Sequence, residues 1–242
     1  MSTSNLATMS RSPGATTNDL LTTTLAPLPK IAVIICSQRR PRICDQIGTL
    51  IYNTLKEYQL TASDSSSYEL SLVDLADHPL PFFDEPIIPQ TITNPLDYHH
   101  EHTREWSHLI SSCDAFVFVT PQYNWSFPAN LKNAIDYLFN EWTSKPAMVV
   151  SYGGYGGGKS AEQLTQVLVA LRMNVVSRSV GLIFPKQGED GKGFLKRAVS
   201  GSDLGLAKGG TEEGLWAKEM VDVKEMFAEL VQKLLEGGKS AH

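Results

Sequence analysis

Cysteine is scarce in this chain. Cys36, Cys44 and Cys113 are the only three among 242 residues, and no two form a C-x-x-C pair. An odd, scattered set excludes a disulfide scaffold and a thiolate metal framework, and it fits a reducing, cytoplasmic setting. Long apolar runs are also missing. The longest, Ile31 to Cys36, falls far short of the roughly 20 residues a membrane span needs. Nor is there an excess of basic residues. The 21 Lys and Arg against 26 Asp and Glu leave a net charge of −5, so no basic face is available to track a nucleic acid backbone. The first 29 residues are nearly uncharged, with Arg11 and Asp19 alone among many Ser and Thr. One arginine is too few for a transit peptide, and no apolar secretory core is present. This stretch reads as a disordered tail with too little apolar surface to offset its ordering entropy.

What is present begins at Lys30. Over the whole chain 42% of residues are apolar and 19% charged, the balance of an ordinary globular protein. Ile31–Cys36, Tyr68–Val73, Ala115–Val119 and Ala147–Val150 are short apolar runs of the kind buried on both sheet faces, and Val175–Ile183 holds a fifth strand. Between them lie helical stripes. Ile47, Leu50, Ile51 and Leu55 form the first, a helix follows over His102–Ile110, and Leu131, Ala134, Ile135 and Leu138 form the next. Ala161, Leu164, Leu168 and Leu171 make a further stripe, and Val223, Met226, Phe227, Leu230 and Leu234 a closing helix. Prolines from Pro79 to Pro95 mark a long connection, and Lys186–Leu215, rich in Gly and charge, reads as a long loop. The expected organisation is a tail over 1–29, one domain over 30–236 and a short tail over 237–242. Alternating strands and helices predict an α/β fold, a doubly wound five-stranded parallel sheet of order 2-1-3-4-5 with helices on both faces. Ligands of such sheets sit beyond the carboxyl ends of the strands, where the first and third strands part.

Three loops meet at that end. Ser37-Gln-Arg-Arg-Pro-Arg42 follows the first strand and crowds guanidinium groups at a helix N-terminus, a ready site for a phosphate monoester. Thr120–Asn130 follows the third strand, stiffened by Pro121 and Pro128 and carrying Tyr123, Trp125 and Phe127, which suit a flat ligand or a partner chain. Ser151–Ser160 follows the fourth strand with five glycines. Its Gly153–Ser160 portion also fits G-x-x-x-x-G-K-S, the phosphate loop of nucleotide triphosphatases. No later apolar strand ends in an Asp to hold Mg²⁺, and that reading leaves the other two loops without a task. The histidines His78, His99, His100, His102 and His108 lack a set of companion ligands and predict no metal site.

Three motifs carry a family resemblance: Ser37-x-Arg39-x-x-Arg42, Thr120-Pro-Gln-Tyr-Asn-Trp-x-x-Pro-x-x-Leu-Lys-Asn133, and Lys145-Pro-x-x-x-x-Ser-Tyr-Gly-Gly154. From about Lys30 to Phe184 the chain resembles the flavodoxin-like NAD(P)H-dependent FMN reductases, particularly the NAD(P)H:quinone reductase branch. The resemblance implies that Ser37, Arg39 and Arg42, with the amide of Ile43, take the FMN phosphate. Pro121, Gln122, Tyr123 and Asn124 would line the isoalloxazine, and Ser151, Tyr152, Gly153 and Gly154 its polar edge. It implies a homodimer, with Arg104 and Trp106 on a helix often found at the interface. Cys36 stands where many relatives have Gly, and Gln122 where much of the family has Glu. The implied activity passes two electrons from NADPH or NADH through flavin N5 to a quinone or similar flat acceptor. The flavin carries that chemistry, so no catalytic side chain is expected. A flavin-binding electron carrier or redox sensor without turnover is the alternative.

Overall fold

A computed structural model describes residues 27–61, 67–186, 189–206 and 214–239. The strands are β1 (Lys30–Ile35), β2 (Glu69–Asp74), β3 (Ala115–Pro121), β4 (Pro146–Gly153), β5 (Asn174–Val175) and β6 (Val180–Ile183). The helices are α1 (Cys44–Thr61), α2 (Glu101–Ser111), α3 (Ala129–Asp136), α4 (Gly158–Ala170), α5 (Glu189–Ser200) and α6 (Ala217–Lys239). All pairings in the sheet are parallel and the order is β2-β1-β3-β4, with β5 and β6 both against β4. The expected order 2-1-3-4-5 therefore stands.

The sheet is buried on both faces because its central strands are apolar at successive positions. Along β1, Ile31, Val33 and Ile35 face a core closed by α1, α5 and α6, while Ala32, Ile34 and, just past the strand, Cys36 face one closed by α2, α3 and α4. Every residue of β3 is buried. On the side of α1 and α6, Ile47, Ile51, Leu55, Val223, Phe227 and Leu230 are sealed from solvent; each such side chain contributes about 1.5–3 kcal/mol. No helix among the described residues is long and apolar enough to cross a membrane.

Four expectations need amending. The fifth strand is two short pieces, because Ser177 and Arg178 turn aside to α6. Ser177 bonds Glu229 through its amide and hydroxyl, and Arg178 pairs with Asp222 and Glu225. The segment 186–215 is not one long loop, since α5 occupies Glu189–Ser200 and buries Phe194 and Ala198, one helical turn apart. Helix α6 passes the boundary set at 236 and runs through Lys239. The expected tail over 1–29 lies outside the described residues up to 26. Its last residue already belongs to the fold, because the Pro29 carbonyl accepts the Glu69 amide at 2.8 Å.

Candidate active site

The loop after β1 folds on itself before α1 begins. Ser37 is fully buried, its hydroxyl accepts the Arg39 amide at 3.3 Å, and it lies 2.7 Å from the Tyr123 hydroxyl. Asn130 donates to the Cys36 carbonyl at 2.9 Å and fastens the same loop to α3. Arg42 reaches back across it. One guanidinium nitrogen donates to the Ser37 carbonyl at 2.6 Å and to Asp74 at 2.8 Å, and the other donates to the second Asp74 oxygen. This fork holds the Arg42 pKa above its ordinary value. Arg42 thus braces the loop with its charge already met. Arg39 and Arg40 are exposed and form no ion pair among the described residues.

The side chain of Cys36 does not crowd the turn. It points into the sheet and donates to the Ile34 carbonyl at 3.4 Å. Cys44, on the opposite face, donates to the Val119 carbonyl at 3.3 Å. Burial pushes Cys36 well above its ordinary pKa and Cys44 up to about 11, so both stay protonated and neither is a thiolate nucleophile.

After β3, Tyr123 and Ser126 exchange backbone hydrogen bonds of 2.8 and 2.9 Å around Asn124 and Trp125, which hold φ of 45° and 73°. Positive φ at two successive residues is the geometry of a tight hairpin turn, and it is costly for tryptophan. The turn is pinned from α4, where Gln163 donates to the Trp125 carbonyl at 2.9 Å and bonds the Ser126 hydroxyl at 2.7 Å. Trp125 itself stays 65% exposed. Gln122 accepts the Lys159 amide at 3.1 Å and so caps α4, a role for its side chain that local sequence does not reveal.

The glycine loop after β4 is built differently from a triphosphate cradle. Ser160 is fully buried and donates to the Pro121 carbonyl at 2.9 Å, so its hydroxyl is not presented to a metal ion. Lys159 pairs with Glu162 at 2.8 Å. The G-x-x-x-x-G-K-S match is therefore a loop and helix start without the phosphate-loop arrangement. The Ser151 hydroxyl is likewise engaged, donating to the Gly156 carbonyl at 2.7 Å.

Arg39, Arg42, Ile43, Pro121, Gln122, Tyr123, Tyr152, Gly153 and Gly154 come together around one cleft of about 220 Å³. Of the expected site residues, Ser37, Asn124 and Ser151 are not among its walls. Ser37 and Ser151 are buried, and their hydroxyls bond within and between the loops. Phe184, Leu195, Ala198 and Val199 complete the lining, and the last three come from α5. Tyr152 bonds Cys44 and burial holds its pKa well above the ordinary value, so it is a neutral phenol. Trp106 is 2% exposed and donates to the Ala134 carbonyl at 2.8 Å inside the core. Arg104 donates to the Tyr98 and His99 carbonyls.

Comparison with known proteins bears on the family and the fold. Residues 29–184 match the family described as NADPH-dependent FMN reductase. The chain is 42% identical over 149 residues to the NAD(P)H-dependent FMN reductase LOT6 of Saccharomyces cerevisiae, covering 61% of this chain and 77% of that protein. It is 36% identical over 98 residues to an NADPH:quinone oxidoreductase of Arabidopsis thaliana, covering 38% and 50% respectively. Among solved structures, the flavoenzyme NAD(P)H:(acceptor) oxidoreductase FerB of Paracoccus denitrificans superposes with a TM-score of 0.56 at 19% identity, over 85% of this chain and 98% of that one. That likeness concerns the fold.

Proposed function

Because the chain belongs to the flavodoxin-like NADPH-dependent FMN reductase family, we propose that the cleft holds FMN and that the protein passes two electrons from NAD(P)H to a quinone or a similar flat acceptor. The observation that carries this reading is the meeting of three loops at one cleft. Arg39, without a carboxylate partner among the described residues, the stiff Gln122–Tyr123 segment and Gly153–Gly154 all line it. The site lies where β1 and β3 part, as doubly wound sheets dictate.

The residues present fit the cofactor. Arg39, with Arg40 beside it and the unpaired amides at the start of α1, would hold the phosphate. Arg42 keeps that loop in shape from Asp74. Pro121 and Gln122 would meet the ring system, and Gly153 and Gly154 would approach its polar edge without side-chain obstruction. FMN supplies the hydride chemistry. The chain supplies position, an apolar enclosure and fixed dipoles, with no catalytic acid or base of its own.

We place a second copy of the chain over the open groove of about 1000 Å³ between α3 and α4, where Phe82 and Trp125 are 88% and 65% exposed. Three unpaired, buried cysteines accord with a cytoplasmic setting. The decisive experiment is an absorbance spectrum of the purified protein followed by steady-state NAD(P)H oxidation with a soluble quinone. Yellow protein that turns over is the expected result. Colourless protein that takes up no FMN would sink the reading, and retained flavin without turnover would favour an electron carrier. Light scattering should give twice the mass of one chain.

A further inference from the structure

Helix α5 lies beyond the residues that match the family, yet it forms one side of the cleft. Its two faces do different things. Phe194 and Ala198 are buried, Ala198 at the edge of the cleft lining, and the Phe194 ring meets Phe184 at 5.2 Å and Trp216 at 5.9 Å. Leu195 and Val199, also one turn apart, line the cleft and remain 55% and 61% exposed.

The end of the helix is pressed onto the arginine loop. Gly201, with φ of 69°, comes so close that a Cβ there would stand 2.7 Å from the Pro41 Cβ and 3.1 Å from the Arg42 carbonyl oxygen. The Gln46 side chain then clamps the following residues, donating to the Ser202 carbonyl at 3.1 Å and accepting the Leu204 amide at 2.8 Å. An anchored helix thus turns an apolar pair, left uncovered among the described residues, towards the cleft that the exposed Arg39 also lines. Such a wall suits a ligand with a phosphate at one end and an apolar body.

Resting on the FMN reading above, we propose that α5 is a third wall of the cofactor cleft, with Leu195 and Val199 as cofactor-contacting residues that slow FMN release. Covering this pair on binding removes apolar surface from water, and improved contact of this kind acts mainly on the rate of departure. A helix that merely obstructed the cleft would act with the opposite sign.

The test compares the full-length protein with the Leu195→Ala/Val199→Ala double variant and with Arg197→Ala as control. FMN affinity is measured by fluorescence quenching and its release by stopped flow. Both targets are largely exposed while Phe194 and Ala198 keep the helix anchored, so folding should survive. The expected result is FMN binding about tenfold weaker in the double variant, through faster release, with the control unchanged. Wild-type binding with a double variant within twofold, or tighter, overturns the proposal and leaves the FMN reading standing. Failure of the wild type to bind FMN overturns both. Should the double variant not fold, amide exchange of residues 193–206 in the wild type decides: slowing on FMN addition supports the wall, and unchanged exchange overturns it.

Discussion

The hydroxyls of Ser37 and Tyr123 stand 2.7 Å apart and join the loops that follow β1 and β3. These loops come from different βα units, and Ser37 is wholly buried. Tyr123→Phe removes the link while keeping the ring. A single partly buried hydrogen bond contributes about 1 kcal/mol, so stability should fall by about that amount and FMN affinity by about three- to tenfold. Fluorescence titration checks this, and an unchanged dissociation constant would mean that each loop keeps its shape independently.

Arg39 and Arg42 sit in one motif but should respond differently to mutation. Arg39→Ala removes an exposed cation with no ion-pair partner among the described residues. Its unfolding midpoint should match wild type while FMN affinity drops by more than about tenfold. Asp74→Asn instead leaves the Arg42 charge without its carboxylate, where the two side chains are only 18% and 15% exposed. Between an exposed and a fully buried pair, the expected loss is about 1–3 kcal/mol. Urea unfolding of both variants separates binding from bracing.

These two arginines also mark what is legible in the sequence and what is not. Strands β1, β3 and β4 declare themselves because burial on both faces demands continuous apolar runs, and the cleft follows from their order. The partner of Arg42 does not declare itself, because Asp74 lies 32 residues away and is brought near only by the pairing of β1 with β2. Gln122 bonding the Lys159 amide is hidden for the same reason. Helix α5 is obscured by Gly191, Gly193 and its charges, although Phe194/Ala198 and Leu195/Val199 are two apolar pairs at helical spacing. The core placement of Trp106, bonded to the Ala134 carbonyl 28 residues on, is likewise not declared by local sequence.

Acid should weaken the connection before α2. Asp84 is held below its ordinary pKa, chiefly by the Tyr137 hydroxyl at 2.8 Å. Burial alone would raise Glu85, but hydrogen bonds outweigh it and its pKa is also lowered; the His99 and His100 amides each donate to it at 3.0 Å. A carboxyl depressed in the folded state contributes stability that is complete above its unfolded pKa, about 4, and is lost as pH falls through the folded value. Glu85→Gln should therefore be less stable than wild type at pH 7, and the gap should close as pH falls below about 4. Urea midpoints at pH 7, 5 and 3 test this, and a gap that widens in acid would contradict it.

Two glycines of the loop after β4 should behave oppositely. At Gly157, φ is 74°, and a Cβ would stand 2.9 Å from the Ser151 Cβ and from the Tyr152 backbone nitrogen and oxygen. Gly157→Ala combines left-handed strain with a clash against backbone that cannot yield, so a loss of about 2–4 kcal/mol is expected. At Gly154 a Cβ would meet nothing within 4 Å, so Gly154→Ala should leave the unfolding midpoint unchanged. Gly154 lines the cleft, however, and a methyl group there would intrude on a ligand that approaches the backbone closely. FMN affinity of Gly154→Ala should therefore fall at constant stability. If Gly154→Ala binds FMN as wild type does, the cofactor does not touch this part of the glycine loop, and the loop's role is limited to starting α4.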